Sequence, residues 1–142
     1  MPAKQLTVFI ENRPGRLCDV LKVLKEGGIS ILSMSLADTT EYGLLRLIVN
    51  RPAACKDVLS AAGFSTLLSD VLVIKLSHQS GSLLSLTQML FEQGISIDYM
   101  YGLSIDGEDA SVVLKASDLA KAEALLRASG TAFLSAEEIA KM

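Results

Sequence analysis

Apolar residues recur along the first half of the chain with two different periods, one typical of helices and one typical of strands. The first helix is indicated by four residues at the i, i+3, i+4, i+7 spacing of one buried face: Leu17, Val20, Leu21 and Leu24. It is predicted to stop at Gly27 and Gly28, which favour a helix end. A second helix is predicted to begin at Pro52, because proline is favoured at the first helical position.

Short apolar runs on either side of these helices predict strands. The predicted strands of the first half are Gln5–Ile10, Ile29–Ala37, Leu44–Asn50 and Phe64–Leu68, with a loop near Thr39–Gly43 between the middle two. The first half therefore reads as β-α-β-β-α-β.

The second half repeats the first. GISILSM at residues 28–34 matches GISIDYM at residues 94–100 at five of seven positions, with an offset of 66 residues. At this offset Gly15 falls on Gly81 and Leu59 falls on Leu125. The repeat predicts strands at Val71–Leu76, Ile95–Ile105, Ala110–Lys115 and Thr131–Leu134, with Asp106–Gly107 in a hairpin turn. Ser135 and Glu138 have capping-box spacing, which predicts a short final helix.

The expected fold class is α+β, with two ferredoxin-like βαββαβ units in tandem at residues 1–69 and 70–142. Right-handed crossovers give each unit the strand order 4-1-3-2 and place its second strand at an edge. Those two edges are apolar and exposed edges favour further pairing, so we expect Ile29–Ser35 to pair with Ile95–Tyr101. This side-by-side pairing would give one eight-stranded antiparallel sheet with the helices on one face.

Composition excludes several classes of protein. The chain has 142 residues, a net charge of −3 and only 20% charged residues, so neither a basic nucleic-acid surface nor long disorder is expected. No apolar run approaches the ~20 residues of a membrane span, which favours a cytoplasmic protein without membrane partners. Cys18, Cys55 and His78 are too few and too far apart for a metal cluster, a redox pair or a Ser-His-Asp triad. No metal or cofactor is expected.

The stretch ENRPGRL, residues 11–17, carries more polar chemistry than a plain strand-to-helix connection needs. Among proteins with this fold, a copper chaperone would have two cysteines in this loop, and an RNA-binding domain would have aromatic residues on its central strands. An acylphosphatase would hold phosphate there with an arginine. Arg13 and Arg16 leave that last possibility open, although the second copy has no arginine in its loop.

The segment NRPGRLCDVLKVLKEGGISILSMS resembles the start of an ACT domain, a small ligand-sensing module of amino-acid metabolism. The resemblance rests on the polar–Arg–Pro–Gly turn, the helix, the glycine and the strand that follows. It covers nearly the whole chain as two modules, although Gln79 and Ser80 replace Arg13 and Pro14 in the second copy. The resemblance implies regulation rather than catalysis, with an amino acid bound where the strand-helix loop of one module faces the edge strand of its neighbour.

The expected ligand site combines the loop of copy one with the edge strand of copy two. Gly15 allows close backbone approach, and the amides that open the helix would face a carboxylate. The expected residues are Asn12, Arg13, Pro14, Gly15, Arg16, Leu17, Asp98, Tyr99 and Met100. A weaker mirrored site is expected at His78, Ser80, Gly81, Ser82, Leu83, Leu32, Ser33 and Met34, since Leu32 and Ser33 lack the groups of Asp98 and Tyr99.

The leading functional hypothesis is a non-catalytic regulatory protein that binds a free amino acid and forms a homodimer. The alternative is a regulatory subunit that docks on a biosynthetic enzyme and uses its sheet as an assembly surface. A small acylphosphatase-like hydrolase is a more distant alternative. Dimerisation is expected because each sheet has one face without helices, and two such faces packed back to back would bury their apolar residues.

Overall fold

A computed structural model describes residues 2–38, 41–76, 80–103 and 110–142. The strands are β1 (Ala3–Glu11), β2 (Ile31–Asp38), β3 (Tyr42–Val49), β4 (Ser65–Leu76), β5 (Ile97–Leu103) and β6 (Ala110–Ala116). The helices are α1 (Arg16–Glu26), α2 (Pro52–Ala61), α3 (Ser82–Glu92), α4 (Leu119–Ala128) and α5 (Ala136–Ala140). The predicted helix start at Pro52 and the short final helix are both confirmed. Thr39 and Thr40 of the first hairpin and the predicted Asp106–Gly107 turn lie outside the described residues.

The chain forms two compact units. The N-terminal unit is Lys4–Ser69 together with the last six residues, Glu137–Met142, and the C-terminal unit is Asp70–Ala136 together with Pro2 and Ala3. The division falls inside β4, so this strand contributes its first residues to one unit and the remainder to the other.

The N-terminal unit is an antiparallel sheet with two helices on one face. Its strand order is β2-β3-β1-β4, which is the 4-1-3-2 order predicted from crossover handedness. Alternate residues of β1 and β3 face the helices, and Leu6 is paired with Leu47. These strand residues pack with Val20 and Leu24 of α1 and Leu59 of α2 in a single buried core.

The C-terminal unit repeats this construction. Its strands have the order β4-β6-β5, and β4 and β6 are antiparallel, with Val73 opposite Val113. Leu90 of α3 and Leu126 of α4 are fully buried in a core of the same kind. The predicted last strand, Thr131–Leu134, is reduced to an isolated bridge between Phe133 and Ile74.

The predicted eight-stranded sheet is wrong, because the described residues contain six strands. Two predicted strands, Phe64–Leu68 and Val71–Leu76, are parts of the single strand β4. Thr131–Leu134 makes only the bridge described above. The two second strands, β2 and β5, pair with β3 and β6 respectively in their own units.

The repeat offset also changes along the chain. α1 and α3 both begin after a glycine at an offset of 66, Gly15 and Gly81. Beyond the hairpin the offset is 67, since Phe64 N donates to Leu59 O and Thr131 N donates to Leu126 O, each at 3.0 Å. The predicted match of Leu59 with Leu125 is therefore wrong, and the buried equivalent is Leu126.

This one-residue difference gives a prediction about stability. Leu126 is fully buried whereas Leu125 is only partly buried, so Leu126→Ala should cost about 2–5 kcal/mol of unfolding free energy and Leu125→Ala clearly less. Urea unfolding followed by circular dichroism measures both. Leu59→Ala is the matched variant in the N-terminal unit and should behave as Leu126→Ala does. A Leu125→Ala loss as large as the Leu126→Ala loss would contradict the 67-residue offset.

The two cysteines should differ in reactivity. Cys18 is exposed on α1, whereas Cys55 is fully buried in the core, and burial raises the pKa of the Cys55 thiol to about 11. The thiolate is the reactive form, so a disulfide reagent at pH 8 should titrate one thiol in the native protein and two in denaturant. Equal reaction rates for both native thiols would contradict the burial of Cys55, and Cys18→Ser should remove the fast phase.

Candidate functional site

The loop between β1 and α1 turns at a glycine in a left-handed conformation. Gly15 has φ of 88°, and its carbonyl accepts the first helical hydrogen bond from Asp19 N at 2.9 Å. A residue with a β-carbon is strained at this φ, so glycine is required for the turn. Gly81 has the same φ of 88° before α3, and Ser85 N bonds its carbonyl in the same way.

The two arginines of the loop have different surroundings. Arg13 is exposed, and its Nε lies 3.1 Å from Glu11 Oε2. Arg16 instead packs inward, with its guanidinium carbon 4.4 Å from the centroid of the Phe64 ring and its Nη1 3.3 Å from Asp19 Oδ2. Its Nε is buried and has no hydrogen-bond partner among the described residues. Arg16 therefore acts as a packing residue as well as a cation.

A cavity of about 200 Å³ lies beside this loop, within the N-terminal unit. Its lining comes from the end of β1, the loop, the first turn of α1, the end of β2 and the start of β3. The lining residues are Ile10, Glu11, Asn12, Arg13, Leu17, Leu36, Ala37, Asp38 and Gly43. The cavity thus brings one cation, two carboxylates and an amide next to apolar side chains.

The cavity includes only part of the predicted loop site. Asn12, Arg13 and Leu17 line it, whereas Pro14, Gly15 and Arg16 do not. The sequence reasoning missed Glu11, Leu36 and Asp38, although Asp38 directly follows the strand that was predicted to end at Ala37. In the structure Asp38 pairs with Gly43, one residue beyond each predicted strand of the hairpin, and this pairing places the end of β2 beside the cavity.

The other predicted ligand residues of the main site lie in the C-terminal unit. Asp98, Tyr99 and Met100 belong to β5, and the register of β5 shifts between Ile97 and Tyr99, so Asp98 sits at a β-bulge. Asp98 is exposed, and the Tyr99 and Tyr101 rings stack with centroids 6.5 Å apart. Their part in ligand binding stays a prediction.

The weaker predicted site falls on both units. His78 lies outside the described residues, whereas Ser80 and Gly81 precede α3, and Ser82 and Leu83 are its first two residues. Leu32 sits at a bulge of β2 between Ile31 and Ser33, the position that Asp98 has in β5. Ser33 follows the bulge, and Met34 is 42% exposed. Ligand binding by these residues also stays a prediction.

Two features of the described residues bear on the class of the site. Among them, no group of three or more histidine, cysteine, aspartate or glutamate side chains is arranged to hold a metal ion. The helices within the same ranges are all too short or too polar to cross a bilayer.

Comparison with known proteins places the chain in a family. The ACT domain pair family matches residues 1–142. A crystal structure of a protein from Bacteroides thetaiotaomicron is 31% identical, with a TM-score of 0.92 over 100% of this chain and 98% of that chain. No curated protein matches the sequence.

Two further similar structures are more distant and show the fold alone. The regulatory subunit of aspartate kinase from Thermus thermophilus, in a ligand-free form, is 17% identical, with a TM-score of 0.64 and 91% of each chain covered. The regulatory subunit of aspartate kinase from Thermus flavus is 20% identical, with a TM-score of 0.59 and 92% of each chain covered. The family match over the full sequence, together with the 31% identical structure, shows that this chain belongs to the family of ACT domain pairs.

Proposed function

We propose that this chain is a regulatory protein that binds a free α-amino acid in the loop cavity of the N-terminal unit. The observation that carries the proposal is the lining of that cavity, which offers groups of both charges beside apolar side chains. A free amino acid has a carboxylate, an ammonium and a side chain close together, so it needs the same combination from its site. The membership of the ACT domain pair family supports the same function.

The ligand carboxylate is assigned to the guanidinium of Arg13 and to the side-chain amide nitrogen of Asn12. The ion pair of Arg13 with Glu11 has both side chains more than 60% exposed, and exposed pairs contribute only ~0–1 kcal/mol. A ligand carboxylate can therefore replace Glu11 at Arg13 at little cost. Glu11 is then released to face the ligand ammonium.

The ligand ammonium is assigned to Asp38 and Glu11, and the ligand side chain to Leu17 and Leu36. Asp38 is exposed at the end of β2, and Leu36 is 54% exposed on the same strand. A ligand side chain lying against Leu36 would cover apolar surface that is now exposed to water. The 200 Å³ volume limits the bound ligand to a small molecule.

These contacts are sufficient for a useful affinity. Hydrogen bonds that involve a charged group contribute roughly 1.5–3 kcal/mol each, against the cost of ordering the ligand. Two or three such bonds with a half-buried side chain give a dissociation constant between about 1 μM and 1 mM, or roughly −8 to −4 kcal/mol. That range suits the sensing of a free metabolite.

Regulation of a biosynthetic enzyme by docking is the second candidate function. The observation that favours it is the exposed apolar surface of the edge strand β2, where Met34 and Leu36 are 42% and 54% exposed. Both lie opposite buried residues of β3, Leu47 and Leu45, and so face the helix side of the sheet. Two proteins of the same fold are regulatory subunits of aspartate kinase, which makes a kinase of amino-acid biosynthesis a reasonable first partner to test.

The hydrolase alternative has weaker support. An acylphosphatase would hold a phosphate with an arginine of this loop, but Arg16 is engaged by Asp19 and Phe64. The carboxylates of Glu11 and Asp38 line the cavity beside Arg13 and would repel a phosphate. Turnover of an acyl phosphate by the purified protein would restore this alternative.

Titration calorimetry with a panel of free amino acids tests the main proposal. One of them should give saturable heat, and Asp38→Asn should weaken it about tenfold or more through loss of a charged hydrogen bond. Gly15→Val should abolish it, because a β-branched residue at φ of 88° distorts the loop that places Asn12 and Arg13 in the cavity. Gly81→Val introduces the same backbone strain in the C-terminal unit and should leave this binding intact.

Circular dichroism of the two glycine variants separates binding from folding, since both carry the same local strain. Normal binding by a folded Gly15→Val variant would mean that the loop is only a turn. Silence from every amino acid with the native protein would overturn the proposal.

A homodimer is proposed for either function, with the sheet faces that carry no helices packed back to back. Phe9 is 40% exposed on that face of β1, since its neighbours Val8 and Ile10 face the helices. Light scattering at micromolar concentration should give twice the monomer mass, and Phe9→Lys should lower that mass by placing charge in the interface. A monomeric native protein, or an unchanged dimer in the Phe9→Lys variant, would contradict the use of this face.

A further inference from the structure

The C-terminal unit contains a second, larger cavity of about 470 Å³. It lies where the end of β4, the first half of α3 and the segment after α4 come together. Pockets for small molecules span roughly 300–1,000 Å³, so this volume is sufficient for one. This cavity and the loop cavity of the N-terminal unit share no residue.

The N-terminal unit shows which side chains fill the same position in the other repeat. Ser82 lines the cavity and is the counterpart of Arg16, since both directly follow the glycine that precedes the helix. Thr131 also lines the cavity and is the counterpart of Phe64, since both donate a backbone hydrogen bond to the equivalent leucine. The Arg16 guanidinium carbon lies 4.4 Å from the Phe64 ring centroid. The cavity is therefore the space left where a stacked cation and aromatic ring are replaced by two small residues.

The C-terminal unit has a stacked pair of its own, but at a different place. Arg127 of α4 lies over the ring of Phe133, with its guanidinium carbon 4.6 Å from the ring centroid. Phe133 is two residues beyond Thr131, and neither member of the pair lines the cavity. This pair therefore does not take the position that the Phe64 ring has in the other repeat.

The described lining of the cavity presents hydroxyl groups and apolar side chains but no charged side chain. Lys75 contributes its backbone, because its neighbours Ile74 and Leu76 face the helices and successive strand residues point to opposite faces of a sheet. Ser85 replaces Asp19, the carboxylate at this point of the other repeat. An ionised ligand would lose its hydration here without gaining a partner of opposite charge, so an uncharged ligand is favoured.

The hydroxyl groups that follow α4 have a fixed hydrogen-bond direction. Ser129 Oγ donates to Leu126 O at 2.7 Å, and it also lies 3.0 Å from Thr131 Oγ1. A hydroxyl group has one hydrogen, so Thr131 must be the donor in the second contact. Toward the cavity, Thr131 Oγ1 can then only accept a hydrogen bond. A ligand that satisfies this oxygen must supply an O–H or N–H donor.

The base of the cavity is apolar. Leu86 and Leu126 are buried in the core, and Met89 packs against it. An apolar cavity that is left by the loss of a large side chain can bind a small aromatic ring. The methionine also suits a ring, since its sulfur makes favourable contacts with aromatic groups.

We propose that this cavity is a binding site for a small uncharged aromatic molecule with one hydrogen-bond donor, such as a phenol. The ring takes the position that the Phe64 ring has in the other repeat and lies on the apolar base. The hydroxyl group of the ligand donates to Thr131 Oγ1. The site does not depend on amino-acid binding in the N-terminal unit.

Phenol is a suitable probe because it is uncharged at neutral pH, and amide NMR spectra of the whole chain can follow its binding. Saturable shifts are expected at Ser82, Ser85 and Thr131, with a dissociation constant of about 1 mM or tighter. Residues 12–17 should not shift. Anisole has the same ring and oxygen but no donor, so it should bind about tenfold more weakly. Benzoate, which is ionised, should bind at least as weakly as anisole.

A matched pair of variants tests the role of the hydroxyl group. Thr131→Val removes the acceptor and keeps the shape of the side chain, so it should weaken phenol binding about tenfold and leave anisole binding unchanged. Thr66→Val makes the same change in the N-terminal unit, where Thr66 Oγ1 lies 3.3 Å from Ser60 Oγ, and should affect neither ligand.

A second variant tests the origin of the space. Ser82→Arg combined with Thr131→Phe refills the cavity with the side chains of the other repeat and should abolish the binding of both phenol and anisole. Circular dichroism shows whether this double variant is folded, and the Thr131→Val comparison remains decisive if it is not.

Three results would overturn the proposal. They are absence of saturable shifts at about ten times 1 mM phenol, equal affinity for phenol and either anisole or benzoate, and unchanged phenol affinity in Thr131→Val. Gly15→Val should leave phenol binding unchanged, so failure of the amino-acid proposal remains distinguishable from failure of this one.

Discussion

Burial of a pair of helices against one face of an antiparallel sheet is the constraint on which each unit depends. Leu24 and Leu59 satisfy it in the N-terminal unit, and Leu90 and Leu126 do so in the C-terminal unit. With the helices fixed on the sheet, the strand-helix connection has little freedom, and in both units it turns through a glycine with φ of 88°. The loops can therefore change their side chains while their backbone course is retained.

The sequence predicts this framework well because it is encoded locally and twice. Helix periodicity, the starting proline at position 52 and the positive-φ glycines each depend on a few neighbouring residues, and the repeat doubles the signal. The 4-1-3-2 order followed from crossover handedness rather than from any particular residue. These features are therefore accessible without knowledge of tertiary contacts.

The strand count and the repeat alignment were predicted wrongly, because both depend on contacts that a local sequence pattern does not contain. Phe64–Leu68 and Val71–Leu76 read as separate strands because the first ends one copy and the second begins the next, whereas in the fold they are continuous in β4. The change of offset from 66 to 67 places Leu126, rather than Leu125, in the core. Both leucines are apolar and adjacent, so composition could not distinguish them.

The candidate sites show the same limit more sharply. An arginine in a strand-helix loop reads as an anion-binding group, but Arg16 packs on Phe64, which is far away in the sequence. Asn12 and Arg13 were identified from the loop alone, whereas Asp38 enters the cavity through strand pairing with β3. A prediction from local sequence therefore found the loop half of the N-terminal cavity and missed the strand half.

The energetics of packing explains why the two repeats can differ at the contact between the helix start and the segment after the second helix. In the N-terminal unit, stacking of a cation on an aromatic ring contributes roughly 0.5–2 kcal/mol, against a penalty of roughly 1–3 kcal/mol for a buried donor such as Arg16 Nε that has no partner. In the C-terminal unit the smaller Ser82 and Thr131 stand in place of Arg16 and Phe64, so both the cation–π attraction and the penalty for the unpaired Arg16 donor are absent. The folding free energy lost through this exchange is therefore smaller than the loss of apolar packing alone would suggest. Because the cavity this leaves opens at the ends of α3 and α4, water can enter it, and the buried leucines beneath it keep their contacts. A duplicated fold can thus replace an internal packing contact in one copy with accessible space while the other copy keeps it.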